Sequence, residues 1–278
     1  MRSLVALPFD RIASGSSDRT IRLWSTLTGA CESILTGHTQ GVCALMGLPN
    51  NQLASSSWDH TIRIWNTVNR TCVAELTGHT DAILALAALP NGSLTSGSWD
   101  TTVRLWSTVT GACLQTLRGH TLEVSSLVAL SDSNVVSGSW DGTLRVWNIT
   151  TGACIRTLQD DSGPVTSLAA LSEYRVASGS KCGKVQVWNC VTGDCTLTLQ
   201  DAPVKGLAVL CDGRLASVSS CVRLWDLATG TCINMGPVQS SGNVIAALSN
   251  GLAESGGCYT NTFHRIACSE SLAVCVWE

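Results

Sequence analysis

Residues 96–106 read SGSWDTTVRLW, and three further stretches repeat it with small changes: SGSWDGTLRVW at 137–147, SSSWDHTIRIW at 55–65 and SGSSDRTIRLW at 14–24. Trp24, Trp65, Trp106, Trp147 and Trp188 fall every 41 residues. Asp18, Asp59, Asp100 and Asp141 each stand six residues before the local Trp, and His38, His79 and His120 each stand 21 before the following Asp. A fixed period of roughly 20–50 residues marks a chain assembled from copies of one supersecondary unit, none of which can bury its apolar faces alone.

Within the unit that opens at Ile83, four short runs are rich in apolar or β-branched residues: 83–89, 94–98, 103–106 and 113–117. Pro90-Asn91-Gly92, Trp99-Asp100-Thr101 and Thr110-Gly111 separate them, each a turn signal grounded in Gly, Asn or Asp backbone chemistry. No helix-period stretch of ten residues interrupts the pattern. The unit therefore reads as four strands, a to d. Runs apolar on both faces imply a sheet covered on both sides, as radial packing of sheets produces.

The run Gly-His, some twenty residues, Ser-Gly-Ser-X-Asp and then Thr-Ile-Arg-Leu-Trp resembles the WD-repeat β-propeller family, and the likeness extends over essentially the whole chain. It implies a four-stranded antiparallel blade per unit, with strand a lining a central channel and strand d on the rim. First strands open at Met1, Val42, Ile83, Val124, Val165, Val204 and Val244, so the expectation is an all-β, seven-bladed propeller spanning 1–278. The blades run approximately over 1–36, 37–77, 78–118, 119–159, 160–200, 201–238 and 239–278. Blade seven is degenerate: residues 265–278 resemble 11–24, which leaves 252–262 as an insertion and the blade without strand d. Ring closure is then incomplete unless an upstream strand supplies it, or unless 271–277 is itself strand d.

Composition narrows the function classes. The 278 residues carry 17 basic and 20 acidic side chains, a net charge of −3, which is no footprint for nucleic acid or an anionic membrane. The apolar run 83–89 is far shorter than the ~18 residues a membrane helix needs. Of the 14 cysteines, Cys31, Cys72, Cys113, Cys154, Cys195 and Cys232 share one repeat position. Equivalent positions in neighbouring blades lie too far apart for a disulfide, so these read as reduced, buried core thiols of a cytoplasmic or nuclear protein. Asn69, Asn91 and Asn148 open glycosylation triplets, a pattern too short to outweigh this.

The family resemblance places His, Ser, Asp and Trp of one blade in a single hydrogen-bonded chain. The sets are His38, Asp59 and Trp65; His79, Asp100 and Trp106; and His120, Asp141 and Trp147, with Ser55, Ser96 and Ser137 respectively. A buried indole N–H is donor-only and needs an acceptor, and a turn Asp can receive from an imidazole. Ser, His and Asp together also suggest nucleophilic catalysis, but a catalytic centre occurs once, whereas this grouping recurs three times in register. Neither CxxC nor HExxH occurs, Cys182, Cys190 and Cys195 match no zinc spacing, and no phosphate-cradling glycine loop is present. The expectation is no catalysis, no cofactor and no metal. Blades five to seven depart from the pattern: Cys182 and Cys221 replace the Asp, and Gln159-Asp160-Asp161-Ser162, Gln200-Asp201 and Gln239-Ser240 replace Gly-His. That half is expected to be looser.

Recognition then falls to the loops. The residue before the turn Asp varies from blade to blade: Ser17, Trp58, Trp99, Trp140 and Lys181. By resemblance this position lies on the upper face, near the channel mouth. Asp81, Glu123, Asp160, Asp161 and Asp201 adjoin it in the loops. Indoles rimmed by carboxylates suit a Lys or Arg side chain, which points to a basic or mixed peptide of a protein partner lying across blades two to four. The bland alternatives are that each indole packs across the groove to the next blade and that the carboxylates serve solubility. Arg22, Arg63, Arg104, Arg145 and Arg223 recur two residues before each Trp and read as structural, with stems between blades and heads in solvent. A rival reading is the substrate-recognition module of a ubiquitin ligase. Some similar propellers follow an F-box and read phosphopeptides with arginines where tryptophans stand here, and no F-box lies in these residues. A monomeric propeller within a larger complex or longer chain is the expected assembly.

Overall fold

The computed structural model describes residues 2–130, 133–159, 163–172, 174–210 and 212–232 in full, and 233–237 and the strands over 244–247, 252–256, 263–268 and 272–277 by their backbone course. Blade one is β1 (Ser3–Leu7), β2 (Arg11–Gly15), β3 (Ile21–Ser25) and β4 (Cys31–Leu35). Blade two is β5 (Val42–Leu48), β6 (Gln52–Ser57), β7 (Ile62–Asn66) and β8 (Thr71–Leu76). Blade three is β9 (Ile83–Ala88), β10 (Leu94–Ser98), β11 (Val103–Trp106) and β12 (Cys113–Leu117). Blade four is β13 (Val124–Ala129), β14 (Asn134–Ser139), β15 (Thr143–Asn148) and β16 (Cys154–Gln159). Blade five is β17 (Val165–Ser172), β18 (Arg175–Ser180), β19 (Lys184–Asn189) and β20 (Cys195–Gln200). Blade six is β21 (Gly206–Val209), β22 (Leu215–Val218), β23 (Cys221–Trp225) and β24 (Cys232–Pro237). Each is an antiparallel meander in which every strand pairs with the next.

The first strands β1, β5, β9, β13, β17 and β21 are successive neighbours, so they face the axis, and the fourth strands are mostly exposed. All five residues of β10 are buried, and its sequence LTSGS is uncharged, its three hydroxyls small enough to be buried with partners. The cores lie between blades. Leu105 and Leu117 of blade three pack with Val124, Leu127 and Trp147 of blade four, and the equivalent cluster recurs at each of the other four interfaces from blade one to blade six. The recurring glycine of β2, β10, β14 and β18 is fixed by this packing. A Cβ on Gly15, Gly97, Gly138 or Gly179 would come within 2.5–2.7 Å of a methyl carbon of Val42, Val124, Val165 or Val204, the valine that opens the next blade. Blade two has Ser56 there, whose hydroxyl donates to the Ile83 carbonyl at 3.0 Å.

Six blades have the antiparallel form, not the expected seven. The last segment forms a mixed sheet of β25 (Val244–Ala247), β26 (Leu252–Gly256), β27 (Phe263–Cys268) and β28 (Leu272–Trp277), in the order β25-β26-β28-β27, with β26 and β28 parallel. Neither parse of blade seven holds, because the presumed insertion contributes β26. After a four-residue connection, β26 pairs with β25 as a hairpin, and short connections favour adjacent pairing over closure across a longer loop. That displaces β27 to the outer edge. β25 packs against both β21 and β1 and so links the ends of the ring.

The shared cysteine position is also corrected. Cys31, Cys72, Cys113, Cys154, Cys195 and Cys232 are exposed free thiols. They sit on the outermost strand, which no further sheet covers, and all but Cys232 stand opposite the Trp at a register shift of the c–d ladder.

Candidate functional site on the upper face

In each antiparallel blade the b–c turn and the d–a loop come to the same end of the sheet. In blades two, three and four the Gly-His of the loop folds against that turn. His79 Nδ1 lies 2.7 Å from Asp100 Oδ2 and its Nε2 2.7 Å from Ser96 Oγ, which in turn accepts from Trp106 Nε1 at 2.8 Å. The His38, Asp59, Ser55 and Trp65 set and the His120, Asp141, Ser137 and Trp147 set have the same connections within 0.1 Å. A carboxylate can only accept, so the ring nitrogen facing the aspartate, Nδ1, carries a proton; in the neutral ring Nε2 then accepts from the serine hydroxyl, whose oxygen accepts from the indole. Electrostatics agree. Burial holds His79 and His120 below the ordinary histidine value, despite a carboxylate beside each. Burial also opposes charge on Asp59, Asp100 and Asp141, but hydrogen bonds from histidine, threonine and backbone outweigh it and hold all three below the ordinary carboxylate range, Asp141 at about 2. The glycine before each histidine fits between the local arginine and tryptophan: a Cβ on Gly78 would stand 2.9 Å from an Arg104 nitrogen and 3.3 Å from the Trp106 ring.

Every polar atom of these sets is engaged within the blade, and the serine hydroxyl is buried and already shared, so these sets present no serine nucleophile to solvent. Among the described residues no group of three His, Cys, Asp or Glu side chains is placed to hold a metal, and no helix is long and apolar enough to cross a membrane.

Blade six, expected to lack such a chain, has a different one. Asp201 is fully buried at its side chain and accepts from the hydroxyls of Ser217 and Ser219 and from the Arg223 guanidinium, while Trp225 Nε1 donates to Ser217 Oγ at 2.8 Å. A carboxylate from the loop thus replaces the imidazole, and Asp201 is removed from the set of surface carboxylates. Asp160, Asp161 and the Gln239-Ser240 pair lie outside the described residues. The arginine stripe is partly paired: Arg22 pairs with Asp18 at 3.0 Å and Arg63 with Glu75 at 2.6 Å, while the Nε atoms of Arg63, Arg104 and Arg145 are buried without a hydrogen-bond partner.

The variable position is held at one height in each blade. The backbone N–H of Trp58, Trp99, Trp140 and Lys181 donates to the carbonyl of Gly41, Ala82, Glu123 and Pro164, at 2.9–3.0 Å. The three indoles differ in their surroundings. Trp99 is 45% and Trp140 41% exposed, whereas Trp58 is half-buried beneath Arg2, whose guanidinium lies 4.0 Å from the ring centroid. Lys181 Nζ lies 5.0 Å from the Trp140 ring. Asp81 and Glu123 are half-buried in the adjoining loops, and His60 Nε2 is 4.0 Å from Asp81. Sequence reading missed Arg2 and His60. The signal for Arg2 was available, since it stands one repeat before Cys43 and replaces it with a cation. A concavity of about 610 Å³ lies at the opposite end between blades two and three, lined by Pro49, Val73, Asn91 and Val109 among others.

Comparison with known families gives a match to the WD domain, G-beta repeat family (WD40) over residues 3–25, 29–66, 70–107, 111–148 and 152–189. The last four segments are one unit of strands d, a, b and c, the first holds only strands a, b and c of blade one, and the breaks between segments fall in the c–d hairpins.

Proposed function

This chain belongs to the WD40 family, and from that premise we propose that it is a non-catalytic scaffold holding a peptide segment of a protein partner across the upper face of blades two to four. Domains of this family typically bind protein partners. The observation that carries the reading is the division of labour among side chains: the recurring His, Ser, Asp and Trp of blades two to four are engaged inside the blades, and the position that varies puts Trp99 and Trp140 into solvent beside Asp81 and Glu123. Exposed tryptophans are the side chains most often found at the energetic centres of interfaces, because they cover a large rigid area at small entropic cost. The test is a peptide array probed with the wild-type protein and with Trp99→Ala and Trp140→Ala. Both exposed changes leave thermal stability close to wild type, and they remove the bound peptides. Retention of every bound peptide by the two variants would overturn the reading, as would selection of phosphopeptides alone.

A further inference from the structure

We propose that Trp99 is a cation-accepting site which takes the charged end of a lysine or arginine side chain of the partner, at a position where each neighbouring blade sets a cation of this chain against its own indole. The proposal rests on the peptide-binding reading above and narrows it to one blade. The repeat offers three copies of one position, each an indole held by the same backbone hydrogen bond. In blade two the indole is covered by Arg2, which is steadied by an Nε donation to Ser17 Oγ at 2.8 Å. In blade four it is approached by Lys181. In blade three, among the described residues, no cation lies over Trp99.

The period of the sequence explains the gap. One repeat on from Arg2 stands Cys43, and one repeat back from Lys181 stands Trp140. Neither carries a positive charge, so neither route that brings a cation to an indole elsewhere brings one to Trp99. The molecule therefore displays the chemistry that satisfies this position wherever its own sequence can supply it: a guanidinium or ammonium over the ring face, drawn by the ring quadrupole. The surroundings suit the same ligand. Trp99 N–H is bonded to the carbonyl of Ala82, next to Asp81, whose carboxylate is half exposed, and Glu123 lies in the loop of the following blade. A partner cation would meet an open indole face and a carboxylate edge together.

The test uses the whole chain labelled at its indole nitrogens and titrated with Nα-acetyl-lysine methylamide and Nα-acetyl-arginine methylamide, with Nα-acetyl-norleucine methylamide as the uncharged control. The Trp99 indole signal moves saturably with both cations and hardly with norleucine, and the Trp58 signal stays still. Cys43→Arg, which supplies the missing internal cation, weakens the Trp99 response about two- to fivefold. Arg2→Ala, at an exposed residue, transfers a response to Trp58 and so tests the same idea should Cys43→Arg fail to fold. An equal effect of norleucine, an equal response of Trp58 in the wild type, or a silent Trp58 in Arg2→Ala overturns the proposal. Array peptides that require Trp99 but tolerate loss of every Lys and Arg would sink it while sparing the wider reading; a positive titration with no Trp99-sensitive peptide would do the reverse.

Discussion

At the scale of single residues, Ser96 shows how much rests on one hydroxyl. It is fully buried, accepts from Trp106 and bonds His79, so Ser96→Ala leaves an indole N–H and an imidazole nitrogen without partners where water cannot reach. The expected cost is about 2–4 kcal/mol, read from the shift in the urea midpoint at unchanged m-value. The histidine and aspartate of each set also fix an acid response. The folded imidazoles of His79 and His120 titrate below their ordinary value of 6.5, so as pH falls through 6.5 the unfolded chain binds protons that the folded chain refuses, and stability drops. The folded carboxyl of Asp141 titrates at about 2 against an ordinary 3.8, so its contribution, complete above 3.8, is lost between those values. The melting temperature should decline gently below pH 6.5 and steeply below pH 4, and a pH-independent melting temperature from 7 to 4 would contradict this. Strain supplies a third case. Thr101 follows the turn Asp with φ of 68°, where blades four and five have Gly142 and Gly183. A β-branched residue is disfavoured in that region, so Thr101→Gly should raise stability by about 1 kcal/mol, measured by the same denaturation.

At the scale of strands and blades, the interface is set by a glycine meeting a valine. A methyl group on Gly138 would lie 2.6 Å from Val165 Cγ1, a short β-branched side chain with no freedom to swing away. Gly138→Ala should therefore push blades four and five apart locally, at about 1–3 kcal/mol, with hydrogen exchange accelerating in β14 and β17 rather than across the ring. Blade six, despite its departures from the repeat, should be as well protected as blade three, because Asp201 ties Ser217, Ser219 and Arg223 to the d–a loop. Asp201→Asn should abolish that equality, and amide exchange in β22 and β23 is the measurement that checks it.

At the scale of the whole molecule, the ring places the variable residues of successive blades side by side on one end, which is what converts a period in sequence into a continuous surface. The sequence by itself determined the unit: its length, its four strands, the turns between them, and the residues spaced to meet within a blade. Those contacts are local, so identical spacing produces identical geometry each time, as the matched His–Ser–Trp distances of three blades show. Only the tertiary structure decided which tryptophan is open, that Asp201 is interior, that the rim cysteines are exposed, and that the last sheet is mixed rather than a seventh antiparallel blade. The physical reason is that coverage comes from the neighbouring blade. Whether an indole or a thiol meets solvent depends on what stands across the groove, Arg2 over Trp58 and, among the described residues, no further strand outside the fourth strands, and that partner belongs to a different copy of the repeat or to none.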